Sequence, residues 1–283
     1  MVYFVFMIKL DRWVGERDRV LVMGVINVTP DSFFPASRML SPRLAMECAQ
    51  RMVADGADIV DIGGESSRPG SSPISSGEEL ERVLPVLERI HAECDVVLSV
   101  DTTKADVARE ALDRGASIIN DISALRADPD MATVAAERGA YVVLMHMQGI
   151  PRTMQATPEY DDVTGEVLQF LEDRVREATR RGIARERLFI DPGIGFGKRL
   201  EHNLALLRDI DCFAATGLPV LVGISRKSFL GELLDLPASE RLEATLAAQA
   251  VAVASGADIL RVHDVREGRR AADTARRLRK DAA

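Results

Sequence analysis

Four stretches of this chain nearly superpose: GADIVDIG from Gly56, GASIINDI from Gly115, GAYVVLMH from Gly139 and GADILRVH from Gly256. Each follows residues with helical spacing and opens on the glycine that a helix end favours, then runs into β-formers. A repeated helix-to-strand joint is the mark of a parallel sheet whose strands are linked by helices. VLVMGVIN from Val20, VVLSVD from Val96, RLFIDPG from Arg187 and PVLVGIS from Pro219 complete a set of eight strands. Helices are expected near 42–55, 77–92, 104–114, 129–138, 163–181, 200–215, 240–255 and 264–280. The clearest is 163–181, where Val163, Val167, Leu168, Leu171, Val175 and Ala178 share one face.

Eight alternations of strand and helix fit either a closed (β/α)8 barrel or an open doubly wound sheet. No GxGxxG follows the first strand, and 283 residues suit a barrel of about 250. The reading is therefore a single (β/α)8 TIM barrel over residues 1–283, with its active site at the C-terminal ends of the strands. The apolar opening MVYFVFMI is expected to form a strand-like extension at about 1–18. Its eight residues fall far short of the roughly 20 that span a bilayer, and it lacks a signal peptide's basic region and cleavage site.

A formal net charge of −8 argues against a general binder of nucleic acid or anionic membrane, while leaving small anionic substrates open. Cys48, Cys94 and Cys212 are odd in number and show no CxxC spacing, which favours a reducing, cytoplasmic setting. Residues 240–255 are apolar almost all round after the first turn, which suggests burial in a homodimer interface.

The strands end on Asn27, the Asp61–Glu65 turn, Asp101, Asn120 with Asp121, His146, Asp191, Ser225 and His263. Each alone reads equally well as a cap, a turn former or a satisfied core group. Together, at one end of a barrel, they describe a polar mouth. GISRKSFLG lacks the second glycine of a nucleophile elbow, DPGIGFGKR lacks P-loop spacing, and the four histidines include no pair at metal-ligand spacing. Asp101, Asn120 and Asp191 suit a flat heterocycle with amide-like edges. Arg68, Lys227, Arg261 and His263 suit phosphate, and Ser228 stands where a helix should begin. These residues point to a transferase or lyase acting on a planar, nitrogen-rich substrate that carries an anionic group.

In order along the chain, NVTPDSF, DIGGESSRPG, SVDT, IND, LMH, DPGIGFGK, SRKSFLG and RVHDV resemble the motifs of the dihydropteroate synthase family. The resemblance implies condensation of 6-hydroxymethyl-7,8-dihydropterin pyrophosphate with 4-aminobenzoate, assisted by Mg²⁺, to give 7,8-dihydropteroate and pyrophosphate. By motif, Asp101, Asn120, Asp191 and Lys227 hold the pterin, with Ile122 and Met145 near its ring. Asn27 serves the metal and pyrophosphate, and Arg261 and His263 complete the anion pocket. Ser67 and Arg68 close over the substrates. Phe196 and the stem of Lys227 flank the aminobenzoate, whose carboxylate meets Ser228. Phe33, in the loop after the first strand, covers the mouth. That loop departs from the family: many members continue as Ser-Asp-Gly-Gly, whereas here Phe34 is followed by Pro35, Ala36 and Ser37. The rival readings are a pterin-binding methyltransferase domain and a paralogue that binds pterin without turnover.

Overall fold

Residues of one parity on every strand turn toward a common axis, and this single fact organises the molecule. The strands are β1 (Leu21–Asn27), β2 (Ile59–Gly63), β3 (Val97–Asp101), β4 (Ile118–Asp121), β5 (Tyr141–Met145), β6 (Leu188–Asp191), β7 (Leu221–Val222) and β8 (Ile259–Val262). The computed structural model describes residues 2–29 and 41–279, with the side chains of the first helix from Lys9 onward. All pairings are parallel, in the order β6-β5-β4-β3-β2-β1-β8-β7. A bridge between Ile190 and Val220 joins the two ends and closes the barrel, and the Ile190 N–H donates to the Pro219 carbonyl at 3.0 Å.

Because successive strand residues face opposite sides, Met23, Ile59, Val97, Ile118, Tyr141, Phe189, Leu221 and Ile259 form one apolar cluster inside the barrel. Their neighbours Val22, Val60, Leu98, Ile119, Val142, Ile190, Val222 and Leu260 face outward into a larger core shared with the helices. Those helices are α1 (Val2–Glu16), α2 (Pro42–Ala54), α3 (Ser76–Glu93), α4 (Ala105–Asp113), α5 (Met131–Arg138), α6 (Val163–Arg180), α7 (Leu200–Arg208), α8 (Ile210–Ala214), α9 (Ser228–Leu234), α10 (Leu242–Ala254) and α11 (Val265–Leu278). Ser75 caps α3 by accepting from the Glu78 N–H, and Asp162 caps α6 by accepting from Gly165. Gly139 ends α5 in the left-handed conformation, φ 58°, a geometry that glycine adopts without a Cβ penalty.

The N-terminal segment differs from expectation: it is helix α1, not a strand. Leu10 and Trp13, three residues apart, are 2% and 5% exposed and join the interior cluster. Burial of that helical pair at the barrel floor outweighs the β-propensity of the opening residues. Trp13 meets Phe189 edge-on at 6.1 Å, and its indole N–H donates to the Arg19 carbonyl at 2.8 Å. Trp13→Phe should therefore keep the fold and lose about 1–2 kcal/mol in urea unfolding, the worth of one buried hydrogen bond and some packing. The region expected as one helix over 200–215 divides into α7 and α8 at Asp209. A short α9 precedes α10.

Candidate active site

Above the apolar floor, the inward parity turns polar. The next positions are Asp61 on β2, Ser99 on β3, Asn120 on β4 and Arg261 on β8, followed by Asn27, Asp101, Met145 and Asp191 at the strand ends. Arg261 is the hub: its Nε donates to Asp61 Oδ2 and a terminal nitrogen donates to Asp101 Oδ2, both at 2.7 Å. Asn120 Nδ2 donates to the same Asp61 oxygen at 3.0 Å. The guanidinium thus joins three strands, β8, β2 and β3, and Asp61 brings in the fourth, β4. Asp61 is fully buried, and among the described residues its second oxygen and the Ser99 hydroxyl find no hydrogen-bond partner.

Two carboxylates around one buried cation leave an excess of negative charge. Burial raises the Asp101 pKa to about 7; Arg261 opposes the rise, while Asp61, Glu79 and Asp121 add to it. Burial acts to lower the Arg261 pKa, but Asp61 and Asp101 outweigh it and raise it. Asp101 therefore ionises in the neutral range while Arg261 stays charged.

The opposite wall is built by β6 and β7. Asp191 is buried and accepts from the Gly193 N–H at 2.7 Å, and burial raises its pKa against the nearby Lys227 charge. Lys227, the N-cap of α9, donates to the Ile194 carbonyl, and its ammonium lies 4.7 Å from the centre of the Phe196 ring. Burial lowers its pKa to about 8, with Asp191 holding it up and Arg261 pressing it down. Ile122, Met145, Met147 and Met154 form a separate apolar cluster with Phe196 against it, a shelf beside these charges.

At the rim, the exposed His263 shares a hydrogen bond with the Ser225 hydroxyl, Nδ1 to Oγ at 3.0 Å. Ser67 and Arg68 are half-buried in the turn after β2, whose Glu65 pairs with Lys104, as does the buried Glu79. Ser228 is exposed at the first turn of α9. The Asn27 amide oxygen lies over Gly63, where an added Cβ would stand 3.4 Å from it and 3.5 Å from the Asp101 Cβ. The structure thus gathers Asn27, Asp101, Asn120, Ile122, Met145, Asp191, Phe196, Lys227 and Arg261 around the mouth. Phe33, Phe34 and Pro35 lie outside the described residues.

Sequence reading gave Asp61 no partner and Lys198 no role. Asp61 was detectable as a carboxylate in the middle of the buried run IVDIG, on the parity of Asp101. Lys198 followed a glycine-rich turn and carried no comparable signal.

A family profile described as pterin binding enzyme matches residues 23–263. Dihydropteroate synthase from Escherichia coli (strain K12) is 49% identical over 246 residues, 87% of each chain. The enzyme of that name from Synechocystis sp. is 46% identical over 248 residues, 87% of this chain and 86% of its own. The Yersinia pestis dihydropteroate synthase solved as a sulfonamide drug complex superposes with a TM-score of 0.90 at 44% identity, covering 93% of this chain and 95% of that one. The Xanthomonas albilineans dihydropteroate synthase with 4-aminobenzoic acid gives 0.86 at 42% identity, covering 93% and 94%. The matched span runs from inside β1 to His263, just past β8. It takes in every inward-facing polar residue of the mouth, and the chain belongs to the dihydropteroate synthase family of pterin-binding enzymes.

Proposed function

We propose that this barrel condenses 6-hydroxymethyl-7,8-dihydropterin pyrophosphate with 4-aminobenzoate, releasing pyrophosphate and forming 7,8-dihydropteroate. The observation that carries the reading is the shared mouth: Asp101, Asn120 and Asp191 stand at or next to the C-terminal ends of β3, β4 and β6, with the apolar Ile122 and Met145 clustered together. A flat pterin has that combination of polar edges and apolar faces. Lys227 and Asp191 supply a donor and an acceptor for its edge, and Asp101 and Asn120 take the opposite side.

The pyrophosphate falls to Asn27, Arg261 and His263, with Ser67 and Arg68 closing from the turn after β2. Arg261 uses two of its five N–H donors on Asp61 and Asp101, which leaves others for phosphate oxygens. Mg²⁺ fits this corner as a companion of the pyrophosphate. Asn27 offers one neutral oxygen, suited to an ion that keeps waters and takes phosphate oxygens as its other ligands. When bound, the ion offsets charge on the leaving group.

The C–O bond to pyrophosphate breaks first, and positive charge develops on the pterin methylene and spreads into the ring. An ionised Asp101 favours that charge. The arylamine nitrogen then forms the C–N bond and gives up its proton. Phe196 and the aliphatic stem of Lys227 flank the amine's ring, and the Ser228 hydroxyl meets its carboxylate. We further assign the chain as one barrel domain that forms a homodimer in the cytoplasm. The supporting features are the free Cys48, Cys94 and Cys212 and the outward Val251 of apolar α10, 53% exposed.

Protonation sets a pH window. Asp101 must be ionised and Lys227 protonated in the free enzyme, so kcat/KM for the pterin pyrophosphate should rise through about pH 7 and fall above about pH 8. A rate profile flat from pH 6 to 9 would contradict these assignments. The function itself is tested by incubating the protein with both substrates and Mg²⁺ and identifying the product chromatographically. 7,8-Dihydropteroate is expected, and its absence under turnover conditions would refute the reading.

A further inference from the structure

Residues 192–199, the turn after β6, carry Phe196 on a backbone that should be hard to order. Gly193, Gly195 and Gly197 all stand in the left-handed region, at φ 69°, 82° and 61°. A Cβ at Gly193 would collide with the His146 carbonyl, and one at Gly197 with the Gln148 carbonyl, so the turn lies backbone-to-backbone on the chain just after β5. Close approach demands these glycines, and each brings extra conformational entropy that must be overcome.

Several hydrogen bonds oppose that freedom. Asn203 accepts from the Gly195 N–H at 2.7 Å, the Tyr160 hydroxyl donates to the Gly197 carbonyl at 2.8 Å, and Gln155 donates to the Gly195 carbonyl at 2.7 Å. Lys198 does something further. Its side chain folds beneath the turn, 3% exposed, and donates to the Phe196 carbonyl at 3.0 Å. The same nitrogen lies 2.9 Å from His146 Nδ1 and 3.4 Å from the His146 carbonyl. It therefore joins the residue that carries the Phe196 ring to the end of β5.

The anchor is firm. The His146 ring meets Phe170 edge-on at 4.8 Å, and burial lowers its pKa to about 2, so it is neutral and can accept through Nδ1. Burial also pulls the Lys198 pKa well below the ordinary lysine value, with Asp191 opposing and Lys227 adding. Among the described residues the hydrogen-bond partners of the Lys198 nitrogen are all neutral, the Phe196 and His146 carbonyls and His146 Nδ1, so acceptors in the turn and just after β5 compensate much of its desolvation.

We propose that Lys198 is a positioning residue for the arylamine half of the reaction, holding Phe196 opposite the stem of Lys227. The inference rests on the reading of Phe196 as one wall of the aminobenzoate site. Lys198→Met keeps most of the volume and removes the donor. Its KM for 4-aminobenzoate should rise about tenfold, while its calorimetric affinity for the pterin pyrophosphate stays within twofold of the unchanged protein. A purely structural role would weaken both together or neither, and either of those results overturns the proposal. If Lys198→Met does not fold, Lys198→Gln is measured in the same way; it retains an amide NH2 but is too short to bridge Phe196 and His146, so the same selective rise is expected and an unchanged KM overturns the proposal. Inactivity of the unchanged protein with both substrates would instead refute the proposed reaction, which separates the two failures.

Discussion

Asp101→Asn is expected to lower kcat/KM for the pterin pyrophosphate by about two orders of magnitude without unfolding the protein. The substitution keeps the shape and removes the charge. Charge-assisted hydrogen bonds contribute about 1.5–3 kcal/mol, and each 1.4 kcal/mol is roughly tenfold in rate. In the ligand-free barrel the same change relieves crowding of carboxylates, because Asp61 also pairs with Arg261 at 2.7 Å. Thermal stability should therefore move by less than about 1 kcal/mol, a loss of activity without a matching loss of fold. Steady-state kinetics beside calorimetric melting provides the check. Wild-type turnover in the variant would remove Asp101 from the reaction.

Arg261→Ala should do the reverse and damage the fold itself. The guanidinium is the partner of a fully buried carboxylate, Asp61, and of Asp101 across the barrel axis. Without it, two carboxylates face each other with Asn120 as the remaining donor to Asp61. Breaking a buried pair by removing one partner costs about 3–5 kcal/mol. At about 2–4 °C per kcal/mol for a chain of this size, the midpoint of melting should fall by about 10 °C. Adding Asp61→Asn to Arg261→Ala should recover a good part of that loss, because it removes the stranded charge. A double variant no more stable than the single one would show that packing, not charge, explains the loss.

The barrel was legible because one physical pattern repeats: a glycine after a helix, then four or five β-formers, then a polar residue. Asp101, Asn120 and Asp191 could be picked out because a polar side chain at the end of an apolar strand needs a reason, and eight such ends share one. The partners were less legible. Arg261 reads from sequence as an anion ligand, yet the structure engages it with Asp61 and Asp101, from strands 200 and 160 residues away. Spacing along the chain carries no record of such a contact. α1 was misread because apolar β-formers fit a strand equally well until Leu10 and Trp13 are seen to share a helix face beneath the barrel. Lys198 gave no signal for a different reason: its role depends on where a turn with three left-handed glycines folds back.

The most direct test of the central claim is pyrophosphate release by the purified protein given the pterin pyrophosphate and Mg²⁺, with and without 4-aminobenzoate. The proposed reaction predicts one pyrophosphate per dihydropteroate formed and sustained multiple-turnover release only when the arylamine is present, with at most about one equivalent per enzyme in its absence. Equal steady-state release without 4-aminobenzoate, or no release with both substrates, would contradict it.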